Sequence, residues 1–556
     1  MIPRRVPLIF GTASLVVFGW ALANPYYFDD VMVLRDNVWL RQLNDPLIWF
    51  RSFFIDSNHL FSGYRPTLML SFWANLALLG DSPLSLRIGN LILHTTNAIL
   101  LFALIHRLSN SEANFPVAWM AGLLFLTHPL QTLGINFLWK RSSLLEATLL
   151  LTAMLLHVNE RNRSRYRGKI VAIQILLFVS AITTKESGLI LPLLFLSLDF
   201  FFFGIPSAFR QRATRLLYFS IFVIGGLFTW VRLFHMPSWL AAHHATLPDR
   251  RLVSASAYVL QQISVVPQYL GQWLLPRPLL FDDPLLVTGF PWRGALLCVL
   301  LATGSIFPIV RYRREPLLSF AVALFWLVLS PTLGPTPLYF VMDPIRLYLP
   351  IAGLSILVAV TLSSLRPKLG WILFILLALL SSVRSVIQNQ RYSHPDLIWR
   401  DVADTYPRSG LAWEGLGAVL QADGRFQDSA EAYREAARVE PGNHIYAVDA
   451  LYSAFQAGMP KDELASQIHV ISTSKLDVRR LVNLAIVEAQ VGETKLAEEH
   501  FRLAIETFPQ FGLSYLNYGI LLEKSGRKEE ARRAFHQALA RLPDHPAARA
   551  GLQRLE

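Results

Sequence analysis

Over residues 1–392, apolar runs alternate with short polar connections; from about residue 394 the pattern becomes charged, alanine-rich and amphipathic. A bilayer's hydrocarbon core needs about 20 apolar residues in a helix, because only helices or closed barrels satisfy their backbone there. The runs predict spanning helices near 6–23, 84–106, 116–130, 137–157, 169–184, 188–204, 215–234, 293–310, 316–331, 346–363 and 369–388. Two further stretches, 65–80 and 255–275, are apolar enough to be helices.

Basic residues decide how those two are placed. Arg4 and Arg5, Arg107, ERNRSRYRGK at 160–169, Arg210, Arg212 and Arg215, Arg311, Arg313 and Arg314, and Arg366 with Lys368 fall in alternate connections. Lys and Arg in short loops are retained on the cytoplasmic side. If either extra stretch spanned alone, every later basic loop would change sides, so both are read as helices at or dipping into the outer interface. The result is eleven spans, the amino terminus inside, the carboxyl terminus outside, and large external loops at 24–83 and 235–292.

The carboxyl-terminal third repeats. Gly424, Gly458, Gly492 and Gly526 stand 34 residues apart, and Pro441, Pro509 and Pro543 follow the same grid with one register skipped. Tyr433, Phe501 and Phe535 keep the period, as do Ala436, Ala504 and Ala538; Trp413, Leu416 and Gly417 match the first-helix pattern of the tetratricopeptide repeat. The fold class is therefore all-α: a polytopic membrane helical bundle in 1–392, a linker in 393–409, and an α-solenoid in 410–556. Repeat units fall near 410–443, 444–477, 478–511 and 512–545; the second lacks the aromatic and proline positions, and 546–556 suits a cap. Stacked helix pairs expose a concave groove, read as protein-binding, with a spacer or dimerisation module as the alternative.

Composition agrees: 53% of residues are hydrophobic and mean hydropathy is +0.39. The net charge of +12 sits in inter-span loops, an orientation signal rather than a nucleic-acid footprint. A single Cys298 rules out an intramolecular disulfide. No small-residue cleavage site follows the first apolar run, which is expected to stay as a helix. No P-loop, dinucleotide fingerprint or zinc-ligand spacing occurs, so nucleotide-driven chemistry is not expected.

Candidate chemistry concentrates on the predicted outer face. NPYYFDDVMVLRDN, residues 24–37, places Asp29 and Asp30 directly after the first span. The same face carries Arg65, Lys140, Arg141, Lys185 and Arg346, cations able to clamp an anion at a low-dielectric surface. Each has a plainer reading: Lys185 with neighbouring Glu186 as an ion pair, Lys140 and Arg141 paired with Glu146, Arg65 as a loop anchor, Arg346 snorkelling to headgroups. The Asp pair could equally cap a helix starting near residue 31. His94, within a span, and His128, beside Pro129, either line a cavity or are hydrogen-bonded packing residues.

Several blocks carry a family resemblance: YFDDVMVLRDN, YRPTLMLSFWANLALLG at 64–80, GNLILHTTNAILLF at 89–102, THPLQTLGINFLWKRSSLLEA at 127–147, TTKESGLILPLLFLSLDFF at 183–201 and IRLYLPIAG at 345–353. With the repeats behind them, they resemble the transmembrane and tetratricopeptide repeat-containing O-mannosyltransferases, membrane glycosyltransferases of the GT-C class. The likeness covers most of the chain. One departure is MDPIRLY at 342–348: a Glu is expected directly before the Arg, and here Asp343 stands three residues ahead of Arg346. The region 235–292 matches weakly apart from YLGQWLLPRPLLFDD.

The resemblance implies transfer of a sugar, mannose by the family's name, from a polyprenyl-phosphate donor to hydroxyls of protein acceptors. Phosphate is a leaving group of low basicity, so one carboxylate base suffices and no general acid is needed, unlike glycoside hydrolysis. By that resemblance Asp29 or Asp30 is the base, Asp29 preferred, with Glu186, His94, His128 and Tyr348 supporting. No cofactor is expected, although a divalent cation at Asp29 or Asp30 stays open. The expected setting is a bacterial inner membrane with the repeats periplasmic. Two alternatives stand beside this reading: a polyprenyl-linked oligosaccharide ligase or polymerase, and a non-catalytic membrane scaffold presenting the repeat groove.

Overall fold

The computed structural model describes residues 3, 5–27, 30–35, 40, 65–108, 115–163, 166–234, 255–275, 292–333, 342–468, 476–542 and 545–556. The elements formed are α-, 3-10 and π-helices, and among the described residues no strand occurs. Two compact units are present, one running to Pro395 and the other Asp396–Glu556.

The first unit is a polytopic membrane bundle. Among the described residues, seven helical segments are long and apolar enough to cross a membrane: Arg5–Ala23, Pro83–Leu108, Leu138–Arg161, Glu186–Phe203, Arg212–Arg232, Pro316–Leu333 and Pro367–Arg391. Shorter apolar helices, Phe115–Thr127, Gly168–Ile182, Gly294–Val310 and Pro350–Ser363, occupy the places of the other expected spans. The two ambiguous stretches are helical too, as Pro66–Leu79 and Ala255–Leu274.

In lipid the hydrophobic effect cannot hold helix to helix, so close backbone approach and buried polar pairs take over. At Gly353, in Pro350–Ser363, a Cβ would stand 2.5 Å from the Ala321 carbonyl oxygen of Pro316–Leu329; only glycine permits that approach. A buried amide network supplies the polar pairs. Asn24 donates to the Asn136 side chain (2.6 Å), Asn136 to Asn389 (2.8 Å), and Asn389 to the Val17 carbonyl (2.9 Å). Arg87 donates to the Asn24 and Pro25 carbonyls and, at 3.2 Å, to that of Asn136. The first span, the second, the 132–136 helix and the last span are thereby tied where the chain turns toward Asp30. At the other end of the bundle Asp199, itself buried, lies 2.7 Å from Arg161 and 3.2 Å from His157 and accepts the Tyr218 hydroxyl at 2.7 Å.

The second unit is the repeat solenoid. Helix pairs Gly410–Ala422/Phe426–Val439, His444–Gln456/Lys461–Ile468, Val478–Val491/Thr494–Thr507 and Gly512–Lys524/Lys528–Arg541 follow the 34-residue grid, and Pro546–Leu555 closes the stack. Gly424, Gly458, Gly492 and Gly526 all adopt positive φ, between 74° and 99°, so the repeated glycine is the left-handed residue that ends each first helix. Tyr433, Phe501, Phe535 and Ala436, Ala504, Ala538 are buried, as the repeat requires. Inside the stretch read as a linker, Pro395–Thr405 forms a helix, because Ile398, Trp399, Val402 and Ala403 give it one apolar face to bury. Arg480 lies among three carboxylates, Glu414 (2.7 Å) of the first repeat and Asp449 (2.8 Å) and Asp477 (2.6 Å) of the second, and so ties the third repeat to both.

Candidate active site

Asp30 is buried at 1% exposure; the Tyr27 amide stands 3.5 Å from its carboxylate, and closer partners come from a distant segment. Its carboxylate accepts the Leu138 amide at 3.0 Å and the Trp139 amide at 2.8 Å, while its own amide donates to the Tyr27 carbonyl at 2.8 Å. The helix it caps is thus the turn Leu138–Lys140, more than a hundred residues downstream, rather than the segment Val31–Arg35 that follows it. A charged acceptor on the first amides of a helical segment fits both the unpaired donors and the dipole there. Asp29, the other member of the pair, lies outside the described residues.

The turn that Asp30 fixes carries Lys140. Its ammonium meets Asp343 at 2.6 Å. Asp343 also accepts the Ile345 amide (3.2 Å) as cap of the Pro344–Leu347 turn, and its own amide donates to the Tyr269 hydroxyl (3.2 Å). Arg346 reaches Gln262 at 3.3 Å and Tyr269 at 3.5 Å on the Ala255–Leu274 helix. Burial pushes the Asp343 carboxyl up, but Lys140 and Arg346 together outweigh it and hold it below the usual carboxylate range. The carboxylate expected beside Arg346 is therefore charged and engaged, three residues away in sequence, with Lys140 as its partner.

The expected pairing of Lys185 with Glu186 does not form, because adjacent side chains leave the backbone in different directions. Lys185 turns to Ser143 (3.0 Å) and Glu146 (3.6 Å), and Ser187 donates to the same Glu146 at 2.5 Å. Glu186 instead bridges two guanidiniums, Arg65 at 3.1 Å and Arg232 at 2.5 Å. Lys140 and Arg141 do not pair with Glu146 either: offsets of five and six residues fall on other faces of a helix with 3.6 residues per turn. Arg141 is fully buried and donates to Asn90 (2.6 Å), Asn75 (2.7 Å), the Leu86 carbonyl (2.7 Å) and the Ser71 carbonyl (3.2 Å), lying over the Phe72 ring. It fastens Pro66–Leu79 to the bundle.

The histidines are hydrogen-bonded packing residues. His94 Nδ1 shares a bond with the Tyr348 hydroxyl (2.8 Å) and its Nε2 donates to the Leu126 carbonyl (3.0 Å); Asn97 also donates to that hydroxyl at 3.0 Å. His128 accepts the Leu130 amide (3.2 Å), bonds the Trp273 carbonyl (3.1 Å) and stacks on that indole, joining the Ala255–Leu274 helix to the Pro129–Gln131 turn.

Helix ends and side-chain contacts thus bring Asp30, Arg65, Lys140, Glu146, Lys185, Glu186, Arg232, Asp343 and Arg346 to one end of the bundle. Among the described residues gathered there, five cations, Arg65, Lys140, Lys185, Arg232 and Arg346, face four carboxylates, Asp30, Glu146, Glu186 and Asp343. An excess of positive charge at a membrane boundary suits a phosphate. Reading the sequence alone misses Arg232, Arg87, Asn136 and the Gln262–Tyr269 face. Arg232, a lone arginine ending an apolar run, carried a signal; the asparagines carried none beyond being polar within apolar sequence.

No family model matches the chain. Protein O-mannosyl-transferase TMTC3 of Homo sapiens is 23% identical to it over 602 residues, covering 96% of this chain and 64% of that protein. Protein O-mannosyl-transferase TMTC1 of Homo sapiens is 24% identical over 507 residues, with 79% and 55% covered. The Caenorhabditis elegans protein O-mannosyl-transferase F38B6.6 is 28% identical over 200 residues, with 35% and 28% covered. The chain thus spans less than two thirds of the length of these curated relatives, and it is similar to them over most of its own, as the motif blocks lead one to expect. Among solved structures, the tetratricopeptide repeat protein YrrB matches at 16% identity over 33% of this chain and 91% of its own, with a TM-score of 0.25, too low to bear on the fold.

Proposed function

We propose that this chain is a membrane glycosyltransferase that moves a sugar, mannose by the names of its relatives, from a polyprenyl-phosphate donor to a hydroxyl of a protein acceptor. Asp29 takes the proton as the acceptor oxygen attacks the anomeric carbon; the bond from that carbon to the phosphate oxygen breaks on the opposite face. The electron pair leaves on the polyprenyl phosphate and configuration inverts. Such a leaving group needs no general acid, so one carboxylate is enough.

Asp30 serves as a positioning residue. The observation that supports the reading is its carboxylate on the Leu138 and Trp139 amides, in the turn whose Lys140 meets Asp343. Arg65, Lys140, Lys185 and Arg346 supply positive charge for the donor's phosphate, whereas Arg141, with its bonds taken inside the bundle, acts through packing. The reaction as written requires no metal, no nucleotide and no nucleic acid. The repeat groove presents the acceptor, and this end of the bundle faces the periplasm of a bacterial inner membrane.

The test is reconstitution. The purified full chain in liposomes, supplied with a radiolabelled mannosyl polyprenyl phosphate and a Ser/Thr-rich acceptor protein, is expected to label the acceptor with an alkali-labile, inverted sugar linkage. Absence of transfer from that donor and from other lipid-linked monosaccharides, by protein that stays folded, would remove the reading.

A further inference from the structure

Arg65, Glu186 and Arg232 come from three distant segments and meet at three helix ends. Arg65 precedes Pro66–Leu79, Glu186 opens Glu186–Phe203, and Arg232 ends Arg212–Arg232. Nothing in the motif blocks joins Arg232 to the other two. One Glu186 oxygen takes Arg65 at 3.1 Å and the other takes Arg232 at 2.5 Å, so a single carboxylate lies between two guanidiniums. The group carries one net positive charge. Side-chain exposures of 20%, 34% and 15% leave it open at the rim rather than sealed like Arg141. The Arg65 Nε is shielded from solvent and has no hydrogen-bond acceptor, a donor held ready in an otherwise paired site. A bond between the Thr67 and Thr183 hydroxyls at 2.7 Å pins the two backbones that carry Arg65 and Glu186.

We propose that the two arginines form the seat of a phosphodiester, and that Glu186 sets the charge the seat accepts. Guanidinium forks match the paired oxygens of phosphate as they match those of a carboxylate, and two of them on one anion give affinity and orientation together. Glu186 lowers by one the positive charge that the two guanidiniums offer an anion, which suits a singly charged ligand over a doubly charged one. A sugar-bearing polyprenyl phosphate is a diester and carries one negative charge. The sugar-free polyprenyl phosphate left after transfer is a monoester carrying about 1.5 to 2 negative charges at neutral pH, by analogy with phosphorylated side chains. Glu186 therefore repels the product more than the donor, and the seat exchanges one for the other without a conformational change. Membrane phospholipids such as phosphatidylglycerol share the diester chemistry and are the other source of such a ligand. The physiological identity of the ligand rests on the glycosyltransferase reading; the charge preference of the seat does not.

The test measures binding by the full chain in detergent and in nanodiscs, with three probes: farnesyl phosphate, its mannosyl diester, and phosphatidylglycerol. In the wild type the mannosyl diester is expected to bind more tightly than farnesyl phosphate. Glu186→Gln is expected to tighten farnesyl phosphate by about tenfold or more, the scale of one charged contact, and to reverse the preference. Arg232→Gln and Arg65→Gln should each weaken both probes by about tenfold or more, with Arg232→Lys restoring part of the loss. Thermal unfolding of each variant accompanies the binding, so that a misfolded protein is recognised and replaced by the Lys variant. Glu186→Gln leaving the preference unchanged in folded protein would overturn the proposal, as would Arg232→Gln binding both farnesyl probes normally. Phosphatidylglycerol outcompeting the mannosyl diester would assign the seat to bulk lipid and overturn it as a donor site. A chain that binds as expected yet transfers no sugar in liposomes would keep the seat and remove the enzymatic reading.

Discussion

Asp30→Asn changes one atom and removes a charge that two buried amides share. The carboxylate oxygens lie 2.8 Å from the Trp139 nitrogen and 3.0 Å from the Leu138 nitrogen, at 1% exposure. An asparagine keeps one acceptor and turns its own N–H groups toward the other amide, which then has no partner. A hydrogen bond to a charged group contributes about 1.5–3 kcal/mol and an unsatisfied buried donor costs about 1–3 kcal/mol, so the substitution is expected to cost about 2–4 kcal/mol locally. Opening of the Leu138–Lys140 turn should become easier in proportion. Hydrogen exchange of the full chain in detergent reads this directly: the Leu138 and Trp139 amides should exchange about 30 to 700 times faster, since 1.4 kcal/mol is tenfold. Lys140 would lose its fixed approach to Asp343, so donor affinity should fall together with protection. Unchanged exchange at both amides in Asp30→Asn would refute the positioning role and put Asp30 back beside Asp29 as a candidate base.

Gly353→Ala sets a methyl group against the Ala321 carbonyl, where 2.5 Å is available, and overpacking of this kind costs about 1–3 kcal/mol; a lower unfolding midpoint in detergent with unchanged helix content checks it. In the repeats, burial pushes the Glu414 and Asp449 carboxyls up despite Arg480 beside them. A carboxyl that holds its proton more tightly folded than unfolded adds stability as pH falls through the folded value toward the unfolded one near 4, so mild acid should raise the protection factors, corrected for the intrinsic pH dependence of exchange, in the Gly410–Ala422 and His444–Gln456 helices. Asp477 is shifted the other way, burial raising it and Arg480 outweighing that, so its contribution is present at neutral pH and is lost only in stronger acid as pH falls from about 4. Asp343→Asn frees Lys140 and is expected to weaken donor binding by about tenfold or more while leaving the Leu138 and Trp139 amides protected, a split that exchange and binding measured on one preparation can resolve.

Much of this architecture was legible because bilayers and repeats impose strict periods. Apolar runs of spanning length located the described membrane helices, and the 34-residue glycine grid named the four repeat positions that adopt positive φ. Composition hid the helix at Pro395–Thr405, whose apolar face is only four residues wide. Site residues were found by type and missed by partner. Asp30 was singled out as a carboxylate at a membrane boundary, but nothing in its neighbourhood of sequence points to amides at 138 and 139. Lys185 and Glu186 invited a local pair because they are adjacent, and adjacency is what prevents it. Arg65, Arg232 and Glu186 could be joined only by helix packing, as could Asn24, Asn136 and Asn389, since contacts across 46 to 365 residues leave no mark on a single sequence.

The central claim is the division of labour within the Asp pair, and single-turnover transfer measures it most directly. Preformed complex of the full chain with mannosyl polyprenyl phosphate is mixed with excess acceptor, and sugar transfer is followed for wild type, Asp29→Asn and Asp30→Asn at matched donor occupancy. Loss of a positioned base typically removes about 100- to 10,000-fold in rate, so Asp29→Asn should fall by that factor with wild-type donor affinity and wild-type protection of the 138–139 amides. Asp30→Asn should lose donor affinity and amide protection first. Transfer by Asp29→Asn at the wild-type rate, from donor-saturated protein, would contradict the account.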